Sequence, residues 1–341
     1  MDPSFKPTVK INAQKIYSSS DDHKHCIWPV AKNELYAGER GGTILKVSLL
    51  DDGGCNQAVV YDNNYGTPVT DIIKDNTGQV YFVDTDRLQL KQSIAKFSAK
   101  VILQNVNGDV ANRGKILKLF LKKNWLYVLG NEANTIIVYN QGSDRIETEV
   151  TITEFKKGKS IVDFAINPAT GDIIALSSGG DVVFRSLEDS RLDSCYRFTG
   201  RENERFKSLH VNWENKWLFT TGTQTVSKQD HKHVIYAYDI SHPEKLAYKC
   251  KSETWTTHDP QFRDTIVGVF AEKVKESWYV VCFTHATSSV VAFRFDDYYN
   301  HIDIASFPQR INKGHISDVK QDFGYLYAAF DNQDLCRITL S

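Results

Sequence analysis

The sequence predicts an all-β fold, a seven-bladed β-propeller built from four-stranded antiparallel blades. Two observations predict it. A short motif, a tight turn followed by the opening of an apolar strand, recurs seven times at nearly constant spacing. Around each copy the chain supplies further strand-like runs, about four per repeat, which is the content of a propeller blade.

The motif reads KNELYAG, TGQVYFV, KNWLYVL, TGDIIAL, NKWLFTT, ESWYVVC and FGYLYAA. Its strand-opening residues are Leu35, Val80, Leu126, Ile173, Leu218, Tyr279 and Leu326, at successive intervals of 45, 46, 47, 45, 61 and 47 residues. Upstream of each motif lies one strand, such as KILKLFLK or SIVDFAIN, joined to it by a hairpin turn. A polar loop leads to a third strand (TILKVSL, TIIVYN, DVVFRSL, HVIYAYDI, SVVAFRFD, DLCRITL), then to a more polar fourth (IETEVTIT, IDIASFPQ).

The blades are expected at residues 26–62, 69–105, 115–153, 160–200, 206–253, 265–309 and 316–340, within a single domain over 1–341. The second is the weakest: DRLQLKQSIAKFSAK reads either as strands or as an amphipathic helix with Leu90, Ile94 and Phe97 on one face. The seventh reaches the C-terminus without a fourth strand. Residues 8–18, in TVKINAQKIYSS, are expected to supply it, closing the ring and covering an open edge.

Composition narrows the function. With 41% hydrophobic and 24% charged residues the chain has ordinary globular content, and its net charge of −1 gives no basic field to attract nucleic acid. The N-terminal MDPSFKPTVK lacks the charged and apolar regions of a signal peptide, and no apolar run is long enough to span a membrane. Six cysteines are scattered without a CxxC, most in apolar runs, as befits small buried side chains in a reducing compartment. The expected location is cytoplasm or nucleus.

The usual catalytic patterns are missing: no Gly-x-Ser-x-Gly, P-loop, dinucleotide glycine fingerprint or His-Glu-x-x-His occurs. Acidic pairs such as Asp21-Asp22, Asp51-Asp52 and Asp296-Asp297 sit among turn residues, where carboxylates satisfy local backbone N–H groups. The tetrapeptide DHKH occurs twice, at 22–25 and 230–233. Trp125, Trp217 and Trp278 share one repeat position, which argues for a packing niche.

GHISDV at 314–319 resembles the Gly-His that precedes a WD40 repeat, while Tyr238-Asp239 and Phe295-Asp296 are similar to altered Trp-Asp strand endings. The chain thus resembles a divergent WD40 propeller. The resemblance implies a structural hydrogen-bond network for His315 within its own blade. It also places both DHKH copies in loops on one disc face, at blades one and five. Those blades are not neighbours, and ligands about 2 Å from one ion cannot come from both; the duplication reads as coincidence.

The interval of 61 residues marks the main elaborations, GTQTVSKQDHKH and TWTTHDPQFRD, both expected as loops. Loops on a rigid scaffold carry function, and Trp and Arg dominate interface energetics. The expected protein-binding residues are Lys228, His231, Trp255, His258, Phe262 and Arg263, with Arg40, Tyr65 and Arg87 in blades one and two as a second region. The expected function is a non-catalytic scaffold within a larger complex, binding a partner's segment, with no cofactor, metal, membrane or small-molecule substrate. A hydrolase or lactonase-like enzyme with a metal in its channel is the alternative. A reader of RNA or histone tails, drawing on Lys156-Lys157-Gly158-Lys159, is a weaker one.

Overall fold

A computed structural model describes the chain apart from residues 1–5, 19–23, 52–53, 64–65, 85–88, 105–118, 130–133, 157–158, 188–193, 198–203, 226–230, 243–245, 253–254, 258–265 and 286. For residues 25, 104, 194–197, 225, 231–232 and 255–257 it describes the backbone only.

Seven antiparallel sheets follow one another along the chain, and the fold is a seven-bladed β-propeller. The N-terminal strand is β1 (Ile11–Ser18). Blade one holds β2 (Lys24–Ala31), β3 (Glu34–Glu39), β4 (Thr43–Leu49) and β5 (Cys55–Asp62); blade two holds β6 (Val69–Lys74), β7 (Val80–Asp84), β8 (Gln89–Ala95) and β9 (Ser98–Gln104). Blade three holds β10 (Phe120–Lys122), β11 (Trp125–Leu129), β12 (Thr135–Asn140) and β13 (Arg145–Thr151); blade four holds β14 (Ile161–Ile166), β15 (Ile173–Ser177), β16 (Asp181–Arg185) and β17 (Ser194–Arg197). Blade five runs through β18 (Glu204–Asn212), β19 (Trp217–Thr225), β20 (His231–Asp239) and β21 (Ala247–Lys251), with a short β22 (Trp255–Thr257) also paired to β20. Blade six runs through β23 (Ile266–Val274), β24 (Ser277–Thr284), β25 (Ser289–Asp296) and β26 (His301–Ile304), with β27 (Gln309–Arg310) also paired to β25. Blade seven combines β28 (Ile316–Asp322), β29 (Tyr325–Phe330) and β30 (Asp334–Leu340) with β1, in the order β1-β30-β29-β28.

The segment 89–104 is therefore a hairpin and not a helix. The i, i+4 spacing of Leu90 and Ile94 is defeated by the bulge between Ser93 and Ala95, which turns Ile94 outward while Leu90 stays buried.

Burial explains why the motif strand was the visible signal. Second strands pack on both faces: β7 (VYFVD) and β15 (IIALS) are buried along their whole length. Outer strands such as β13 (RIETEVT) are exposed at nearly every position, so their sequences are free to be polar. Most of the first hairpin turns place a residue in the left-handed region. Gly78 (φ 92°) and Gly171 (φ 87°) fill this role, as do Lys123 (53°), Lys216 (60°) and Lys275 (54°); Phe323 (50°) and Gly324 (73°) share it.

The chain divides into two compact units: Met1–Asn12 with Glu154–Lys313 and Thr339–Ser341, and Ala13–Thr153 with Gly314–Ile338. In the first unit, blades four and five bury Leu176, Phe184, Leu209 and Tyr236 between them, and blades five and six bury Phe219, Ile235, Val280 and Phe293. Trp217 meets Trp278 at 5.2 Å and Phe295 at 4.9 Å, the packing niche expected for the repeated tryptophans. In the second unit, blades one and two share Tyr36, Ile44, Tyr61 and Phe82, and blades two and three share Tyr81, Leu90, Leu126 and Val128.

A polar bond accompanies these apolar seams. A register shift interrupts the pairing of β2, β6, β14, β18, β23 and β28 with their second strands. At three of these bulges stands an aspartate. Asp163 accepts from Phe164 N at 2.8 Å and, across the seam, from Leu209 N of blade five at 2.8 Å. Asp318 accepts from Val319 N at 2.8 Å and from Ile27 N of blade one at 2.9 Å. Asp71 accepts likewise from Ile72 N and from Leu119 N. At a fourth bulge the Cys26 thiol donates to the Val69 carbonyl of blade two at 3.4 Å.

His315 behaves as the resemblance implied. Its Nδ1 lies 2.8 Å from Asp331 and its N–H donates to the same carboxylate at 2.7 Å, both within blade seven.

Two outcomes test this arrangement. Asp163→Ala leaves two buried N–H groups without their acceptor, and should lower unfolding free energy by about 2–6 kcal/mol in urea titrations, since each such loss costs about 1–3 kcal/mol. Deleting residues 1–17 strips β30 of its outer partner. The truncated chain should aggregate on mild heating, and unchanged solubility and melting would refute the role assigned to β1.

Candidate functional site

Blade five carries the clearest departure from the repeat. β19 and β20 pair over nine residues without a break, from Trp217↔Asp239 to Thr225↔His231. The equivalent strands of blade four, β15 and β16, have five residues each. The outer strand is split. β21 pairs along Asp239–Tyr236, then Ser252 turns in: its N–H donates to Ile235 O at 2.9 Å and its Oγ accepts from Ile235 N at 2.9 Å. Pairing resumes in β22, with His233↔Trp255, Lys232↔Thr256 and His231↔Thr257.

Two expected loops are thus corrected to strands. His231–His233 begin β20, and Trp255–Thr257 pair against them. The physical reason is local: HKHVIYAYD and WTT are dense in β-branched and aromatic residues, which favour extended pairing over a loop. The structure brings the backbones of His231 and Trp255 into one sheet. Lys228, His258, Phe262, Arg263, Tyr65 and Arg87 lie outside the described residues, while Arg40 is exposed in the turn between β3 and β4.

The DHKH copies are likewise unlike in structure. Lys24 of the first is fully buried in an ion pair with Glu39 and sits 5.5 Å over the Tyr17 ring, so it is no solvated loop residue. His233 of the second is buried, with Nδ1 3.2 Å from Thr223 Oγ1. Among the described residues no group of three His, Cys, Asp or Glu side chains has metal-binding geometry.

A polar triad underlies the blade-five extension. The Tyr236 hydroxyl donates to both oxygens of Glu204 at 2.9 Å, and Lys251 reaches Glu204 at 3.4 Å while lying 5.1 Å over the Tyr236 ring. Burial first, and then the bond to Glu204, push the Tyr236 phenol far above its ordinary range. It stays a donor. The triad ties the first, third and outer strands of blade five together at the extended end.

A second charged cluster was missed in the sequence. Lys320 of β28 lies 3.4 Å from Asp71 and 3.8 Å from Asp318, beside the buried Cys26. Two carboxylates share one ammonium in a buried place. Burial pushes Asp318 up to about 7, opposed by Lys320. Burial works to lower the Lys320 ammonium, but Asp318 and Asp71 outweigh it and hold the group charged. Burial, then Asp71, raise the Cys26 thiol well above its ordinary value, so it is no thiolate nucleophile. The signal was present: Asp71, Asp163 and Asp318 each stand eight to ten residues before a motif-strand opening.

No protein-family pattern matches the sequence, and no curated protein matches it. Solved structures do. The WD40 β-propeller domain of Doa1 aligns with TM-score 0.61 at 11% identity, covering 96% of this chain and 97% of that one. The β-propeller domain of Cps50 (Swd1) from Myceliophteria thermophila aligns with TM-score 0.63 at 9% identity, over 95% and 98%. The fold is the one WD40 propellers have. Virginiamycin B lyase from Staphylococcus aureus shares it too, with TM-score 0.64 at 12% identity over 97% and 99%, so this fold serves enzymes as well as binding domains.

The shared ammonium gives a pH dependence of definite sign. Unfolded, an aspartate titrates near ~3.9; folded, Asp318 stands at about 7. Its contribution to stability is therefore complete below about pH 4 and is lost as pH rises through about 7. Asp318→Asn should flatten the fall in unfolding free energy across that window, read by urea titration at a series of pH values. An unchanged slope would mean Asp318 is ionised throughout.

Proposed function

We propose that the chain is a non-catalytic protein-interaction scaffold, a subunit of a larger complex in the cytoplasm or nucleus. Its partner segment binds across the extended ends of blades five and six. One observation carries this reading. Among the described sheets, these two alone have a fifth strand, and both gain it at the same end of the third strand, at His231–His233 and at Ser289–Val290. Folding accounts for four strands per blade; the fifth is an addition that stiffens one place on the surface.

The chemistry of the buried polar groups favours binding over catalysis. Tyr236 is held protonated and Lys251 is engaged with Glu204. Lys320 is held charged between carboxylates and Cys26 is held as a thiol. Trp255, His231, Lys228, His258, Phe262 and Arg263 are the residues we assign to partner contact, with Arg40, Tyr65 and Arg87 as a secondary region. The free thiols of Cys26, Cys250, Cys282 and Cys336 are buried, which suits a reducing compartment.

The test is the double change Trp255→Ala with Arg263→Ala. Side chains that serve partner contact rather than packing leave unfolding free energy within about 1 kcal/mol of wild type when truncated. A partner identified by affinity purification and mass spectrometry should bind more weakly by about 2 kcal/mol or more, the size of a hot-spot loss. Undiminished binding by the folded variant would move the partner surface elsewhere. A chain that purifies from native cells alone would remove the scaffold reading.

A further inference from the structure

The turn joining β25 to β26, Asp296-Asp297-Tyr298-Tyr299-Asn300, displays two adjacent tyrosines to solvent. Tyr298 is 85% exposed and Tyr299 74%, more than any other large apolar or aromatic side chain described. The turn does not need them. Asp296 closes it by accepting from Tyr299 N at 3.0 Å, and Asn300 takes the left-handed position at φ 49°. Below, the pairs Asp296↔His301 and Phe295↔Ile302 continue the ladder, with Phe295 and Ile302 buried. The two rings therefore stand on a rigid pedestal, not on a long loop.

Their geometry is specific. The ring centroids are 4.8 Å apart and the planes cross at 86°, so the pair forms a corner with open π faces at right angles. An aromatic face attracts a cation. The electrostatics around the corner point the same way. The hairpin 294–303 carries Asp296, Asp297 and Asp303 against a single arginine, Arg294. Lys249 engages Asp297 and lies 3.7 Å from Asp239; His301 meets Asp303 at 2.7 Å.

We propose that the Tyr298–Tyr299 corner is a docking point for an arginine-bearing segment of a partner protein. A guanidinium is planar, so it can lie flat on one ring while its N–H fork donates to a neighbouring carboxylate. An ammonium offers no such plane. A membrane surface is disfavoured, because anionic headgroups would meet the aspartates. The inference rests on the scaffold reading only in assuming that the chain binds proteins. The two surfaces are apart: Trp255 pairs with the first residues of a third strand, while Tyr298 follows the last residue of one.

A fluorescently labelled Gly–Arg repeat peptide is the probe, with a Gly–Glu repeat as control, read by anisotropy on the full chain. The Gly–Arg peptide should bind and the Gly–Glu peptide should not. Tyr298→Ala with Tyr299→Ala should weaken binding by roughly tenfold or more, a typical loss for an aromatic anchor, with an unchanged melting temperature. Tyr298→Phe with Tyr299→Phe keeps both π faces and should bind within about threefold of wild type. The Trp255→Ala, Arg263→Ala variant should bind the peptide normally, so that failure here and failure of the blade-five surface are read separately. Binding retained by the double alanine variant would overturn the proposal. So would a loss in the double phenylalanine variant as large as in the double alanine one, which would assign the site to the hydroxyls instead.

Discussion

The bulge in the first strand of a blade is the constraint on which the remaining structure turns. A bulge breaks the ladder and leaves backbone N–H groups without a partner strand, and buried N–H groups must find acceptors. Here a side chain standing at the bulge supplies one. Asp163 and Asp318 each take two N–H groups, one from their own strand and one from the next blade. A single residue thereby repairs its own strand and fixes the seam. Seams of Val, Ile and Leu resist sliding only weakly, because apolar packing is non-directional. A side-chain acceptor with two defined donors sets the register of one blade against its neighbour.

That solution has an electrostatic cost, which explains the buried lysine. A carboxylate out of water is unfavourable unless its charge is met. Asp71 and Asp318 belong to blades two and seven, and Lys320 reaches both past Cys26 of blade one. The side chains at these three bulges therefore meet around one ammonium. Space is tight at the same place. A methyl added to Gly38 would lie 2.6 Å from Cys26 Sγ and 2.8 Å from a Val69 methyl, so glycine is required for close approach, not for turning.

How much of this was legible follows from which residues bury on both faces. Second strands such as IIALS do, and their apolar runs gave the period, the blade number and the hairpin turns directly from the sequence. Outer strands face solvent, so their patterning is weak, and the 89–104 hairpin could be read as a helix. The blade-five elaborations were legible as an anomaly of length but not as strands, because a tripeptide such as WTT is too short to show periodicity. The bulge aspartates were hidden for a different reason. An Asp inside an apolar strand looks like any alternating polar position until its two N–H donors are brought to it, one of them 46 residues away for Asp163 and 291 for Asp318.

The paired serines of blades five and six show that the added strands are one device used twice. Ser252 accepts from Ile235 N and donates its own N–H to Ile235 O; Ser306 accepts from Ala292 N at 2.9 Å and donates its N–H to Ala292 O at 3.1 Å. In both blades the outer strand ends, a buried serine pairs with the peptide groups of a buried third-strand residue, and a short strand takes up the pairing beyond it. A fourth strand that simply continued would leave a long, straight edge open to pairing with other chains. Interrupting it at a serine shortens each edge and lets the continuation be aimed separately from the blade beneath. The same step guards these two blades against edge-to-edge association and sets a short strand, free of the blade's own outer strand, at the start of each third strand.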